Sequence, residues 1–152
     1  MRSFAFLASL FVAALATSCA SSSSSCCSKA DPQVVVDDVA KANPGVVRLT
    51  VHCMQDGKLT ACASTLADKK GKPSDPEDQQ AIDGGQPVVK EEAAGLDVTV
   101  PILQQDGKFT VACGVTFGGK GMARDAAVQQ AQAIAKAVET GLGGCCGTCN
   151  CK

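Results

Sequence analysis

The tetrapeptide Gln-Asp-Gly-Lys occurs at 55–58 and again at 105–108, each time followed by an apolar residue and Thr and soon afterwards by Ala-Cys. Asp-Gly supplies the positive φ angles that a tight hairpin requires, so two such signals flanked by Val, Leu and Thr predict two β-hairpins. The first joins Val46–Gln55 to Leu59–Leu66, and the second joins Leu96–Gln104 to Phe109–Phe117. The Lys beside each turn keeps the rim solvated, and Thr suits a pleated surface. A turn needed in two places explains the repeat better than a duplicated active site.

Helices fill the remaining stretches. Asp31-Pro32 opens one, with Asp as the cap and Pro in the first turn, and Val35, Val39 and Ala42 form its apolar side before Asn43-Pro44-Gly45 stops it. Lys69, Lys70 and Lys72 mark a polar loop. A short helix then begins at Asp75 with Pro76 in its first turn and ends at Gly84-Gly85, and Pro87–Lys90 reads as a short strand. From Ala123 to Leu142, Val128, Ala131, Ala135, Val138 and Leu142 recur at helical spacing, the buried stripe of an Ala-rich helix. The predicted order is helix, β, β, short helix, β, β, β, helix, an α+β fold. Along the last strand Phe109, Val111, Cys113, Val115 and Phe117 alternate with the smaller Thr110, Ala112, Gly114 and Thr116. One sheet face therefore carries bulk, while the other seats the Ala-rich helix or leaves room for a ligand.

Catalytic signals are weak. His52 is the single histidine, and a strand position makes it a surface or packed residue rather than a base. Cys53 follows it directly, so the two side chains point to opposite faces. The acids Asp75, Glu77, Asp78 and Asp83 crowd the short helix, where capping, the helix dipole and solvation account for them. Gly114–Lys120 resembles a phosphate-binding loop but continues with Gly121 instead of Ser or Thr. No catalytic constellation survives, and an enzyme is not expected.

The chain starts with Arg2 and a short apolar run, Phe4–Ala16, followed by small residues, the pattern of a secretory signal peptide over 1–18. Ala14-Leu15-Ala16 fits an ordinary cleavage site. Ala16-Thr17-Ser18-Cys19 resembles the bacterial lipobox, in which Cys19 would carry lipid, and the Ser-rich stretch 19–30 then reads as a tether. Those features imply export to the cell envelope as a periplasmic or outer-membrane lipoprotein, with the membrane reached through the lipid anchor. Loss of Arg2 takes the formal charge from −1 to about −2. With no basic stripe, no Trp or Tyr, and only Phe109 and Phe117 beyond the leader, nucleic acid is not an expected partner.

The segments 61–89 and 95–117 resemble the Cache domains, extracellular PAS-like ligand sensors. The resemblance rests on Gly71-Lys72-Pro73, the short helix closing on Gly with an extended Val segment, Pro101-Ile102, the Asp-Gly turn and a closing strand of small and apolar residues. It implies a five-stranded antiparallel sheet with the first and last strands side by side at its centre, over residues 31–142. It also implies a ligand pocket on one sheet face, beneath the loop and helix joining the second and third strands. Carried over by position, the ligand-binding candidates are Ser64, Thr65, Lys72, Asp97 and Thr99, and the partner is a small molecule or an envelope protein.

Ten cysteines are many for this length. Cys26, Cys27, Cys145, Cys146, Cys149 and Cys151 flank the domain, the last four in a Cys-rich tail at 143–152. In an oxidising compartment they are expected to form disulfides; a soft ion, Cu or Zn, held by the tail thiolates is the alternative, and no other cofactor is expected. Cys53 and Cys62 share a sheet face if the first hairpin has a two-residue loop, and a bulge would part them. Cys53, Cys62 and Cys113 are expected as three small buried thiols. The leading functional reading is a non-catalytic ligand-binding module. The alternatives are a metal-binding or redox protein acting through its tail, and a scaffold that only displays that tail.

Overall fold

A computed structural model describes residues 31–104, 106–119 and 121–143. The expected signal segment, lipid-bearing Cys19, the tether, Lys120 and the tail cysteines lie outside the described residues. The elements are α1 (Pro32–Ala42), β1 (Val46–Gln55), β2 (Lys58–Ser64), α2 (Pro76–Gly84), β3 (Val88–Glu92), β4 (Gly95–Leu103), β5 (Phe109–Gly118) and α3 (Arg124–Gly141). The five strands form one antiparallel sheet in the order β2-β1-β5-β4-β3. β1 and β5 are the central pair, with Arg48 opposite Thr116 and Leu49 opposite Val115.

Local chemistry accounts for the boundaries. Asp31 Oδ1 accepts from the Gln33 N–H at 2.9 Å, which caps α1 with Pro32 at its first position. α2 ends on Gly85 in the left-handed conformation, φ 62°. The twin tetrapeptides make different turns. At the first, Gln55 faces Lys58 across a two-residue loop, with Asp56 at φ 48° and Gly57 at φ 74°. At the second, Gln104 O accepts from the Gly107 N–H (3.0 Å), and the Gln104 N–H donates to Lys108 O (2.8 Å). Pairing there resumes only at Leu103 and Phe109, because the register shifts between Ile102 and Leu103. The expectation of one shared turn geometry is corrected by that shift.

α1 and α3 cover the bulky sheet face. Their Val35, Val36, Ala127, Ala131, Ile134, Ala135 and Val138 pack on Leu49, Val51, Val98, Val111, Val115 and Phe117. The Ala-rich helix thus sits on the large side chains and not on the small ones, short side chains meeting long ones. The opposite face receives α2 and the 65–75 loop, with a second apolar cluster of Leu59, Ile82 and Ala112 flanked by Met54 and Phe109. Phe109 departs from its alternating set because it lies at the register shift, and its ring lies against Gly85.

Cys53 and Cys62 form a disulfide, with Cα atoms 5.8 Å apart. Three free thiols were expected. The register shift on β2 falls between the partners of Val51 and His52, so the extra residue is Cys62 itself, and the bulge does not turn it away from Cys53. Among the described residues Cys113 is the free, buried thiol, its pKa pushed up to about 12 by burial and then by the charge of Asp97.

The two sheet margins differ. Along β2, residues 71–74 add hydrogen bonds: Gly71 N–H to Ala61 O (2.8 Å), Ala61 N–H to Lys72 O (2.9 Å) and Ser74 N–H to Leu59 O (3.0 Å). β3 is the last strand on the other side.

Candidate functional site

Strand alternation and register bring a polar set together beneath α2. Arg48, Thr50 and His52 alternate along β1, and Thr50 and Thr99 both lie opposite Gly114. Arg48 and Asp97 both lie opposite Thr116, and Lys90 of β3 lies opposite Asp97. The result is a small pocket lined by Arg48, Thr50, His52, Ala61, Lys69, Pro73, Asp75, Glu77, Asp78, Lys90, Asp97 and Gly114. Its interior offers about 30 Å³ to water-sized occupants, room for one or two. Gly114 makes the floor: a Cβ there would stand 3.3 Å from His52 Nε2.

Asp78 is the hub. Only 5% exposed, it accepts from Thr99 Oγ1 through Oδ1 (2.9 Å) and from the Asp75 N–H through Oδ2 (2.9 Å). His52, 8% exposed, places Nδ1 2.6 Å from Ser74 Oγ and 3.4 Å from Asp78 Oδ2. Asp78 Oδ2, which accepts from the Asp75 N–H, is also the oxygen nearest His52 Nδ1. Burial pushes the imidazole below its ordinary pKa, with the Asp78 charge acting against that fall.

The rest of the wall is ion-paired. Arg48 Nη2 lies 3.1 Å from Glu92 Oε2 and 3.2 Å from Asp97 Oδ1, and Thr116 Oγ1 also donates to Asp97. Burial works against the Arg48 charge, but Asp97 and Glu92 outweigh it and raise its pKa. Lys90 Nζ meets Glu77 Oε1 at 2.8 Å, which holds the Glu77 carboxyl below its usual range. Two groups are left over. Glu77 Oε2 is shielded from solvent and lacks a hydrogen-bond partner among the described residues. Lys69 joins no ion pair among the described residues.

The low His52 pKa has a measurable consequence. An unfolded histidine takes its proton near pH 6.5, whereas the folded one resists, so the unfolded state binds more protons below that pH. Stability is therefore expected to be full above pH 6.5 and to fall as pH drops below it, at up to about 1.4 kcal/mol per pH unit. Urea titrations from pH 7.5 to 5 check this. His52→Gln should flatten that part of the profile, and an unchanged slope would assign the effect to other groups.

Of the residues placed here by position, Asp97 lines the pocket. Ser64, Thr65, Lys72 and Thr99 do not. Ser64 and Thr65 fasten the end of β2: Ser64 Oγ lies 2.9 Å from Thr50 Oγ1, the Ser64 carbonyl accepts from Gln33 of α1 (2.8 Å), and Thr65 Oγ1 accepts from the Leu49 N–H (3.1 Å). Lys72 gives its backbone to the β2 margin, and Thr99 stands behind Asp78. Arg48, His52, Lys69, Asp75, Glu77, Asp78, Lys90 and Gly114 were not anticipated as lining. The signal for them is the pairing of β1, β5, β4 and β3, which local sequence does not carry. Among the described residues no group of three or more His, Cys, Asp or Glu side chains is arranged to hold a metal ion, and no helix is long and apolar enough to cross a membrane.

No protein-family model matches the chain, and no curated protein matches its sequence. Solved structures match its fold. The second GAF domain of DevS from Mycobacterium smegmatis is 16% identical with a TM-score of 0.53, covering 72% of this chain and 92% of that one. The GAF domain of a phosphoenolpyruvate-protein phosphotransferase from Acinetobacter is 13% identical at 0.51, covering 74% and 85%. The type II free methionine-R-sulfoxide reductase of Thermoplasma acidophilum is 13% identical at 0.51, covering 72% and 91%. Likeness at these identities is likeness of fold, a GAF- and PAS-like α+β architecture that hosts both sensor domains and an enzyme.

Proposed function

We propose that the chain is a non-catalytic, sensor-like module that binds a small polar ligand in the pocket between its central strands and α2, and that it does so as an exported protein of the cell envelope. The observation that carries this reading is the pocket itself. Gly114 keeps its floor open, and charged side chains ring it with one carboxylate oxygen, Glu77 Oε2, shielded and unpartnered. An unmet buried acceptor calls for a donor. His52 adds a second acceptor: with its proton on Nδ1, toward Ser74 and Asp78, the Nε2 lone pair faces the Gly114 floor. Asp75, Glu77, Asp78 and Asp97 outnumber Arg48, Lys69 and Lys90 around the same space. A ligand that brings donors and positive charge, in the first instance a small primary amine, suits that field.

GAF sensor domains of similar fold lend support to a binding role. The Cache relationship is the finer form of the same proposal, since its expected pocket position, under the segment joining the second and third strands, is where the polar cluster lies. Export is supported by the leader pattern and by the Cys53–Cys62 bridge, because disulfides persist in oxidising compartments. Lipid on Cys19 would then hold the module at a membrane, with the Ser-rich stretch as its tether.

Thermal unfolding with panels of small amines and small carboxylates tests the proposal. An amine is expected to raise the melting temperature, by the equivalent of about 2.7 kcal/mol at a hundred times its Kd. Gly114→Val, which fills the floor against His52, should abolish that rise. A panel in which no compound raises the melting temperature would refute the proposal.

A further inference from the structure

Asp-Gly occurs three times in the chain, at 56–57, 83–84 and 106–107. The step is chemically labile, because glycine has no Cβ to shield its amide nitrogen from the carboxyl group of the preceding residue. As sequence the three are equivalent. The fold makes them different.

At 83–84 both reacting groups are engaged. Asp83 Oδ1 accepts from Gln79 Nε2 at 2.8 Å, and Gly84 is the last residue of α2, where its N–H is directed at the carbonyl four residues back. At 106–107 they are engaged again: Asp106 Oδ1 accepts from the Lys108 N–H (3.1 Å), and the Gly107 N–H donates to Gln104 O (3.0 Å). At 56–57 neither group is held. Among the described residues the Asp56 carboxyl and the Gly57 N–H have no hydrogen-bond partner, and Asp56 joins no ion pair. Both residues are exposed, and a Cβ on Gly57 would meet nothing within 4 Å. Asp56 also holds φ 48°, which an L residue adopts only at a cost, so rotation into the attacking geometry starts from a strained turn.

We propose that Asp56–Gly57 is a site of spontaneous backbone rearrangement, at which the chain passes through a cyclic imide and reopens as isoaspartate, while hydrogen bonds protect the Asp83 and Asp106 steps. The Gly57 amide nitrogen attacks Cγ of the protonated Asp56 carboxyl. A new N–Cγ bond forms, and the carboxyl hydroxyl leaves with the amide proton as water. Water then reopens the ring. Addition at Cγ breaks the new bond and restores aspartate. Addition at the main-chain carbonyl carbon of Asp56 breaks the original peptide bond and leaves the backbone running through the side-chain carbons. No electrons are transferred, and no co-reactant besides water is needed. The Cys53–Cys62 bridge keeps β1 and β2 joined beside the altered turn.

The test uses the full chain, aged once in its folded state and once in concentrated urea, then reduced, alkylated and digested with trypsin. Cleavage at lysine and arginine puts the three steps in three peptides, Leu49–Lys58, Gly71–Lys90 and Glu91–Lys108. Isoaspartate appears as a second chromatographic species of unchanged mass that accepts a methyl group from an isoaspartyl methyltransferase; the imide appears as a species lighter by one water. Relative to each step's own rate in urea, the Asp56 step in the folded chain should be at least about fivefold less protected than the other two, the factor for two ordinary hydrogen bonds. Asp56→Glu, which would need a larger ring, should leave its peptide as one species. Equal protection at the three steps, stronger protection at Asp56, or a second species that persists in Asp56→Glu would overturn the proposal.

Discussion

Phe117→Ala is expected to lower the unfolding free energy by about 3–5 kcal/mol, the range for emptying a well-packed aromatic site. Phe117 is 1% exposed on the central strand β5, opposite Val46 of β1 and Leu96 of β4, and it belongs to the cluster that α1 and α3 cover. Rigid neighbours on three sides leave little scope for collapse into the void. A domain of this kind is stable by about 5–15 kcal/mol, so the variant stands near the threshold of unfolding. Urea titration at constant m-value measures the loss as a displaced midpoint. A change below about 1 kcal/mol would mean that the cluster relaxes freely, contrary to interior packing of ordinary density.

Asp78→Ala is expected to cost about 3 kcal/mol, since each buried donor left without its acceptor costs roughly 1–3 kcal/mol. Thr99 Oγ1 and the Asp75 N–H lose their acceptor outright, and His52 loses the carboxylate beside Nδ1. Because Asp78 is the largest of the aspartate charges that resist the fall in the His52 pKa, ahead of Asp97 and Asp75, the variant should also push that pKa lower still, seen as a shifted imidazole titration by NMR. Asp83→Ala is the contrast. Among the described residues its carboxylate accepts only from Gln79, on the exposed side of the same helix, so the change should stay within about 0.5 kcal/mol. Equal losses at the two positions would remove Asp78 from its role as hub.

Those two aspartates show where sequence stops being informative. In the chain both are acids on a short helix, and capping explains either. What separates them is that Thr99 and His52, on strands far away in sequence, come beneath one and not the other. The hairpins, α2 and its terminal glycines, and the stripe of α3 are local signals, and they were legible within a residue or two. β1 spans Val46–Gln55 as the pattern predicts. The central pairing of β1 with β5 followed from the Cache resemblance and not from local pattern. Which helix takes which sheet face was not legible, because alternating large and small residues on β5 allow either arrangement. The Cys53–Cys62 bridge turned on a single-residue bulge, and nothing in Ala-Cys-Ala announces one. Asp97 could be placed by position, while Glu77, Lys90 and Arg48 needed the β1-β5-β4-β3 order before their convergence could be seen.

The unequal sheet margins limit how copies of this protein can join. Continuous fibrils need two unsatisfied borders per molecule, one to receive and one to offer. Here the 71–74 segment already occupies the β2 border, so among the described residues backbone zippering is confined to β3. A pair meeting β3 to β3 uses up both vacancies at once and halts: growth by strand addition ends at two.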